Sequence, residues 1–167
     1  MSIRPPRVIG LMPQQRGRGQ VATRPFDESD RSALIALWTA CDLIRPWNDP
    51  NRDIDRKLGQ DPAGLIVLDS DSLVVGAVMV GYDGHRGWVN YLAVHPDHRR
   101  HGHGARLMAA AEAYLGQVGC PKANLQVRRS NHEVVEFYTR LGYAVDDTVS
   151  LGKRLVDDDN ASDQGSA

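Results

Sequence analysis

Leu92-Ala93-Val94-His95-Pro96-Asp97-His98-Arg99-Arg100-His101-Gly102-His103-Gly104-Ala105 is the stretch of this chain that carries the most usable chemistry. An apolar strand runs into a short basic turn, then two glycines, then a helical pattern. The first N–H groups of a helix have no intrahelical partner, and the dipole makes that end positive. Glycines remove the side chains that would keep a phosphate from reaching those N–H groups. Arg99, Arg100 and the imidazoles of His101 and His103 add positive charge, so the expected ligand is a pyrophosphate. A dinucleotide-binding Gly-x-Gly-x-x-Gly is excluded because Leu107 occupies the third glycine position. A Walker loop is excluded because no Gly-Lys-Ser/Thr is present. His95, His98, His101 and His103 are spaced like metal ligands, but they straddle a strand end and a loop, and no metal is expected there.

What fits is Arg99-Arg100-His101-Gly102-His103-Gly104, which resembles the Arg/Gln-x-x-Gly-x-Gly/Ala signature of the GNAT superfamily of N-acetyltransferases. It follows Leu92-Ala93-Val94-x-Pro96, as it does in that superfamily. Asn131 and Tyr138, on a later helix, match its Asn and Tyr positions and precede Leu141-Gly142-Tyr143. Residues 41–50 and 81–87 are similar to the YpeA-like bacterial subgroup.

The resemblance implies acetyl-CoA as cosubstrate, held by Leu92, Ala93, Val94, Arg99, Arg100, His101, Gly102, His103, Gly104, Ala105, Asn131 and Tyr138. It implies that pantetheine lies in a gap between the fourth and fifth strands and pairs with the backbone of residues 92–94. A Val94 N–H would stabilise the oxyanion formed when an amine attacks the thioester, and Tyr138 would assist departure of the thiolate. Tyr138 also reads as a core aromatic, since it shares a face with Val134 and Leu141. The loop holding Trp47 and Asn48 and the turn holding Tyr82, Asp83 and His85 are the expected acceptor-binding elements. Trp47-Asn48-Asp49 is equally a capped helix start, and the turn equally a plain hairpin. The catalytic Glu positions of some members are here Gln126 and Trp88, which leaves ordered water, Asp83 or His85 to take the amine's proton. A non-catalytic acyl-CoA-binding module of the same fold is the alternative that this departure keeps open.

These residues need a scaffold, and hydrophobic periodicity supplies its outline. Residues 21–24 read as a strand stopped by Pro25. Asp27 opens a helix carrying Leu34, Ile35, Leu37, Trp38 and Cys41 on one face. Asp49 and Pro50 start a second helix that Gly59 ends. Residues 65–68, 73–82 and 88–94 form a meander, with Asp83-Gly84 as a turn. After Gly104, the recurrence of Leu107, Met108, Ala111 and Leu115 predicts a helix. Residues 123–127 form a further strand, and Ser130-x-x-Glu133 reads as a capping box. Residues 143–153 supply one or two last strands. The expectation is an α/β (α+β) fold with a mixed six- to seven-stranded sheet, helices on both faces, and a V-shaped splay between the fourth and fifth strands.

Length and composition suit one domain: 167 residues, 41% hydrophobic, 25% charged, formal net charge −1. That balance gives no reason to expect nucleic acid or membrane as partner. Residues 1–18 are expected to be a disordered basic tail, 19–156 the acetyltransferase domain, and 157–167 a disordered acidic tail. Two cysteines without a signal peptide point to a reducing, cytoplasmic setting. The expected partner is an amine, of a small molecule, a protein N-terminus or a lysine, with pairing into a homodimer left open.

Overall fold

Runs of β-branched and aliphatic residues become the strands, and residues with a helical repeat cover them. The computed structural model describes residues 21–156 and 158. In chain order the elements are β1 (Val21–Pro25), α1 (Arg31–Ala40), α2 (Pro50–Gln60), β2 (Leu65–Ser70), β3 (Leu73–Tyr82), β4 (Gly87–Val94), α3 (His103–Gln117), β5 (Ala123–Leu125) and α4 (His132–Arg140). Asp27 caps a short 3₁₀ turn that leads into α1, its side chain accepting from the Ser29 N–H.

The strands lie in chain order in one sheet. Neighbours are antiparallel from β1 to β4, and β4 pairs in parallel with β5 across the α3 crossover. β2 is buried on both sides, which is why it reads as a continuous apolar run. Leu65 and Val67 pack with Leu34, Leu37, Trp38 and Ile54 of α1 and α2. Ile66 and Leu68 pack with Leu107, Met108, Ala111 and Leu115 of α3 on the opposite face. Helices therefore cover both faces, as expected.

Two irregularities in β4 shape the site. Ala77 pairs with Ala93 but Met79 pairs with Asn90, so Val78 faces both Tyr91 and Leu92 and β4 bulges there. Pairing with β5 covers only Gly87, Trp88 and Val89. Beyond Val89 the two strands part, and residues 90–94 have no strand partner on that edge among the described residues. This is the splay between the fourth and fifth strands.

The strand count is lower than expected: five strands form, not six or seven. β5 stops at Leu125, and residues 143–153 form no strand. The alternation along that segment has no facing layer to bury it. Val145, Val149, Leu151 and Leu155 stay exposed. Side chains hold the segment instead: Lys122 to Asp146 at 2.6 Å, Gln126 to Ser150, and Arg154 to the Trp47 carbonyl at 2.8 Å. The expected basic tail, and the acidic tail apart from Asp158, lie outside the described residues. Asp158 docks on α2, 2.6 Å from Arg56, and accepts from the Asp49 N–H at 3.3 Å. No helix among the described residues is long and apolar enough to cross a membrane.

Leu107 is fully buried whereas Leu151 is 91% exposed. Leu107→Ala is expected to lower the unfolding free energy by about 2–5 kcal/mol in urea denaturation. Leu151→Ala should change it by less than about 0.5 kcal/mol. A large loss at Leu151 would show that the last segment packs against something.

Candidate active site

The end of β4 and the start of α3 are one continuous device. The His95 N–H donates to the Val75 carbonyl in β3 at 2.9 Å. Successive backbone groups of a strand point to opposite edges, so the N–H and C=O of Val94 face the open side. Two side chains meet that carbonyl: Arg99 Nε donates to it at 3.1 Å and Cys41 Sγ at 3.3 Å. The chain then turns through a 3₁₀ turn at Pro96–His98, with Arg100 at φ 64° and Gly102 at φ 75°. Both lie in the left-handed region, which glycine adopts without a Cβ penalty.

The first helical bond of α3 runs from the Arg106 N–H to the Gly102 carbonyl at 3.0 Å. The N–H groups of His103, Gly104 and Ala105 are thus left without intrahelical partners. The two glycines have different reasons for being glycine. A Cβ at Gly102 would meet open space, so its backbone angle is the constraint. A Cβ at Gly104 would lie 3.1 Å from the Phe137 ring, so Gly104 lets α3 approach α4. His103 contributes less charge than its place in the turn suggests. Burial, then the neighbouring His101, His98 and Arg106, push the His103 pKa down toward the neutral form. The histidines meet in pairs, with ring centroids 5.8 Å apart for His95 and His98 and for His101 and His103. Among the described residues no group of three or more His, Cys, Asp or Glu could hold a metal ion.

α4 brings Tyr138 to the same cluster. The cap of α4 is Asn131, whose side chain accepts from the Val134 N–H at 3.4 Å. The expected capping box on Ser130 does not form; Asn131 caps α4 alone, its amide oxygen reaching the third helical N–H. Tyr138 is only 9% exposed and packs in the cluster that holds Leu107, Leu92 and Val94. Its ring meets Phe137 at 5.0 Å and Tyr143 at 5.7 Å. The hydroxyl makes no hydrogen bond to a described group but is not sealed from solvent. Burial pushes its pKa up to about 12, so it is a protonated donor at neutral pH.

The remaining predicted residues separate into two groups. Asp49 caps α2, and Trp47 lies under the Arg154 guanidinium, 5.8 Å from the ring centre. Asn48 faces β4, its Nδ2 donating to the Tyr91 hydroxyl at 3.4 Å. Tyr82, Asp83 and His85 stand at the hairpin tip between β3 and β4. Asp83 accepts from the His85 N–H at 2.8 Å, the Arg86 N–H at 2.7 Å and Trp88 Nε1 at 3.3 Å. Those bonds hold its carboxyl below the usual range. β4 rises about 3.3 Å per residue, which places Leu92 roughly 16 Å along the strand from Gly87 and the hairpin.

Sequence reasoning did not single out Tyr91 or Asp53. Tyr91 sits in the bulge at φ 51°, a conformation that costs a bulky residue on the order of 1–3 kcal/mol. Its ring stacks on the buried Trp38, centroids 4.3 Å apart. Its hydroxyl donates to Asp53 Oδ2 at 2.6 Å. Burial and the Asp53 carboxylate push the phenol up to about 12. Only adjacence to Leu92 marked Tyr91 in the sequence.

Because Tyr138 ionises near 12 rather than 10, the unfolded chain loses that proton first as pH rises. Folding stability should therefore fall between about pH 10 and 12. The ultraviolet absorbance titration of the wild type minus that of Tyr138→Phe is expected to have its midpoint near pH 12. A midpoint near 10 would show a solvated hydroxyl.

Comparison with known proteins agrees with this fold. The sequence model of the Acetyltransferase (GNAT) family matches residues 31–143. Acetyltransferase YE1169 of Yersinia enterocolitica is 49% identical over 135 residues, covering 81% of this chain and 96% of its own. Acetyltransferase ECA0875 of Pectobacterium atrosepticum is 48% identical with the same coverage. Among solved structures, the aminoglycoside N-acetyltransferase AAC(6')-Iy in complex with CoA superposes with a TM-score of 0.68 at 16% identity, over 84% of this chain and 98% of that one. The NatC complex bound to Gag peptide and CoA gives 0.65 at 20% identity, over 73% and 83%. The last two show the likeness of fold alone. The chain belongs to the GNAT family and is an acetyl-CoA-dependent N-acetyltransferase.

Proposed function

We propose that the protein moves the acetyl group of acetyl-CoA to a primary amine by direct attack of the amine on the thioester. The observation that carries this reading is the open edge of β4 ending beside the uncapped N-terminus of α3. Pantetheine fills the gap and pairs with the outward-facing backbone along Leu92, Ala93 and Val94, in place of the absent strand. The pyrophosphate rests on the N–H groups of His103, Gly104 and Ala105, with Arg99, Arg100 and His101 around it. Asn131 lies beside the pantetheine arm. The Val94 N–H, aimed into the gap, donates to the thioester oxygen as negative charge develops there. Tyr138, held protonated by burial, donates to the departing sulfur.

The acceptor enters from the α1–α2 side, past Trp47 and Asn48, with Tyr82, Asp83 and His85 on the far rim. One fold neighbour was solved with the bisubstrate analogue CoA-S-monomethyl-acetylneamine and another with Gag peptide and CoA. Their range supports an amine of a small molecule or of a peptide as the acceptor class here. Cys41 and Cys120 are free thiols, which supports a reducing, cytoplasmic setting.

Gly102→Glu is expected to abolish CoA binding measured by calorimetry, because its carboxylate enters the phosphate space. Gly102→Ala bears the same strained backbone without the charge and should keep most of the affinity. Equal affinity in the two variants would remove the cradle. Tyr138→Phe is expected to lower kcat by about 100-fold with little change in CoA affinity, the low end for a general acid since thiolate leaves readily. Wild-type turnover in that variant would remove Tyr138 from the mechanism.

A further inference from the structure

The proposed reaction still lacks a group to receive the amine's proton. Gln126 cannot serve, since its amide does not titrate and is bonded to Ser150. Asp83 already accepts three hydrogen bonds at the hairpin, and His85 stands beside it. Both lie a strand length from Leu92.

The bulge offers a different group. Tyr91 directly precedes the residues that flank the gap, and its side chain packs on the α1–α2 face. α3 covers the opposite face of the sheet. Its left-handed backbone would relax unless the surroundings fixed it. Stacking on Trp38 and the 2.6 Å bond to Asp53 fix it. A tyrosine hydroxyl has one proton and two lone pairs. The proton goes to Asp53, Asn48 donates to one lone pair at 3.4 Å, and no donor among the described residues meets the other. Asp53 is held by α2, with its N–H on the Asp49 carbonyl at 3.0 Å. Its second oxygen lies 3.3 Å from Arg56, which also pairs with Asp158. Arg52 lies 3.9 Å from Asp158, and Arg154 meets Asn48 at 3.4 Å; Asn48 and Trp38 are neutral.

We infer that Tyr91 and Asp53 form a proton relay for the acceptor amine, with Tyr91 touching the amine and Asp53 receiving the proton through it. This rests on the transferase reading above. The amine first gives up its ammonium proton: it passes to the Tyr91 oxygen as the Tyr91 proton passes to Asp53 Oδ2. The neutral nitrogen's lone pair then forms the C–N bond to the thioester carbonyl carbon. The C–S bond breaks, its electron pair leaves on sulfur, and the thiolate takes a proton from Tyr138. Asp53 releases its proton to water, one of the two N–H protons of the new ammonium-like nitrogen also goes to water, and Tyr138 regains one from water.

The test uses the whole chain as wild type, Tyr91→Phe and Asp53→Asn. Thiol release from acetyl-CoA is followed with spermidine, lysine amide and a free-N-terminal peptide as probe amines. Tyr91→Phe keeps the ring on Trp38, so the fold should persist. Both variants are expected to lose at least about 100-fold in kcat at neutral pH, with calorimetric CoA affinity and melting temperature nearly unchanged. The deficit should shrink as the pH rises toward the pKa of the amine, where solvent deprotonates it. Rates within twofold of wild type would overturn the relay while leaving the transferase reading intact. A loss that tracks CoA affinity and melting temperature, and does not recover with pH, would also overturn it in favour of a structural role. No thiol release by the wild type with any amine would overturn the transferase reading and the relay together.

Discussion

A β-sheet that stops pairing in its middle leaves main-chain groups that must bond to something else, and the rest of this molecule is arranged around that condition. β4 is paired to β3 along most of its length but to β5 over only three residues. The bulge opposite Val78 turns the strand at the point where the partner is lost. An unpaired strand edge invites an extended ligand to complete it. Everything nearby either shapes that vacancy or fills the spaces around it. α3 begins where the strand ends, and α4 closes one side with Phe137 and Tyr138.

The two faces of the sheet carry separate tasks. On the α3–α4 face the useful features are backbone donors at a helix start and a buried phenol. On the α1–α2 face they are side chains: Trp38, Asn48, Asp53 and Tyr91. Each face has its own apolar cluster, with Leu107 central to one and Trp38 to the other. In the proposed reaction such a division lets the thioester be approached from one side while the carrier is held from the other. The loop before α2 is tied to the last segment through Arg154 on Trp47 and Asp158 on Arg56.

The glycine-containing turn into α3 was readable in the sequence because its physics is local: glycines, arginines and a helix start are contiguous. The meander was readable for the same reason, since β-branched runs and an Asp83-Gly84 turn fix hairpins over short distances. The last strands were misread because alternation is a necessary pattern and not a sufficient one. Val145, Val149 and Leu151 alternate correctly but meet no layer to bury them. The cap at α4 moved from Ser130 to Asn131 because adjacent polar residues compete for one helix end. Gly104 looked like a phosphate contact and is in part a packing contact with Phe137, which comes from an element more than thirty residues away. Tyr91 and Asp53 were invisible, since a positive φ in a bulge and a bond between a strand and a distant helix leave no periodic trace.

The carbonyl of Val94 is gripped by Arg99 from the turn and by Cys41 from the end of α1. That double hold fixes the orientation of a peptide group through side chains that belong to its neighbours. In the proposed reaction the polar work at this position is done by main chain, which every amino acid except proline supplies alike. Residue 94 can therefore drift among aliphatic types without altering the chemistry. A survey replacing one side chain at a time would score the position as mere packing, and would register it indirectly, through a neighbour such as Cys41 whose thiol meets the Val94 carbonyl.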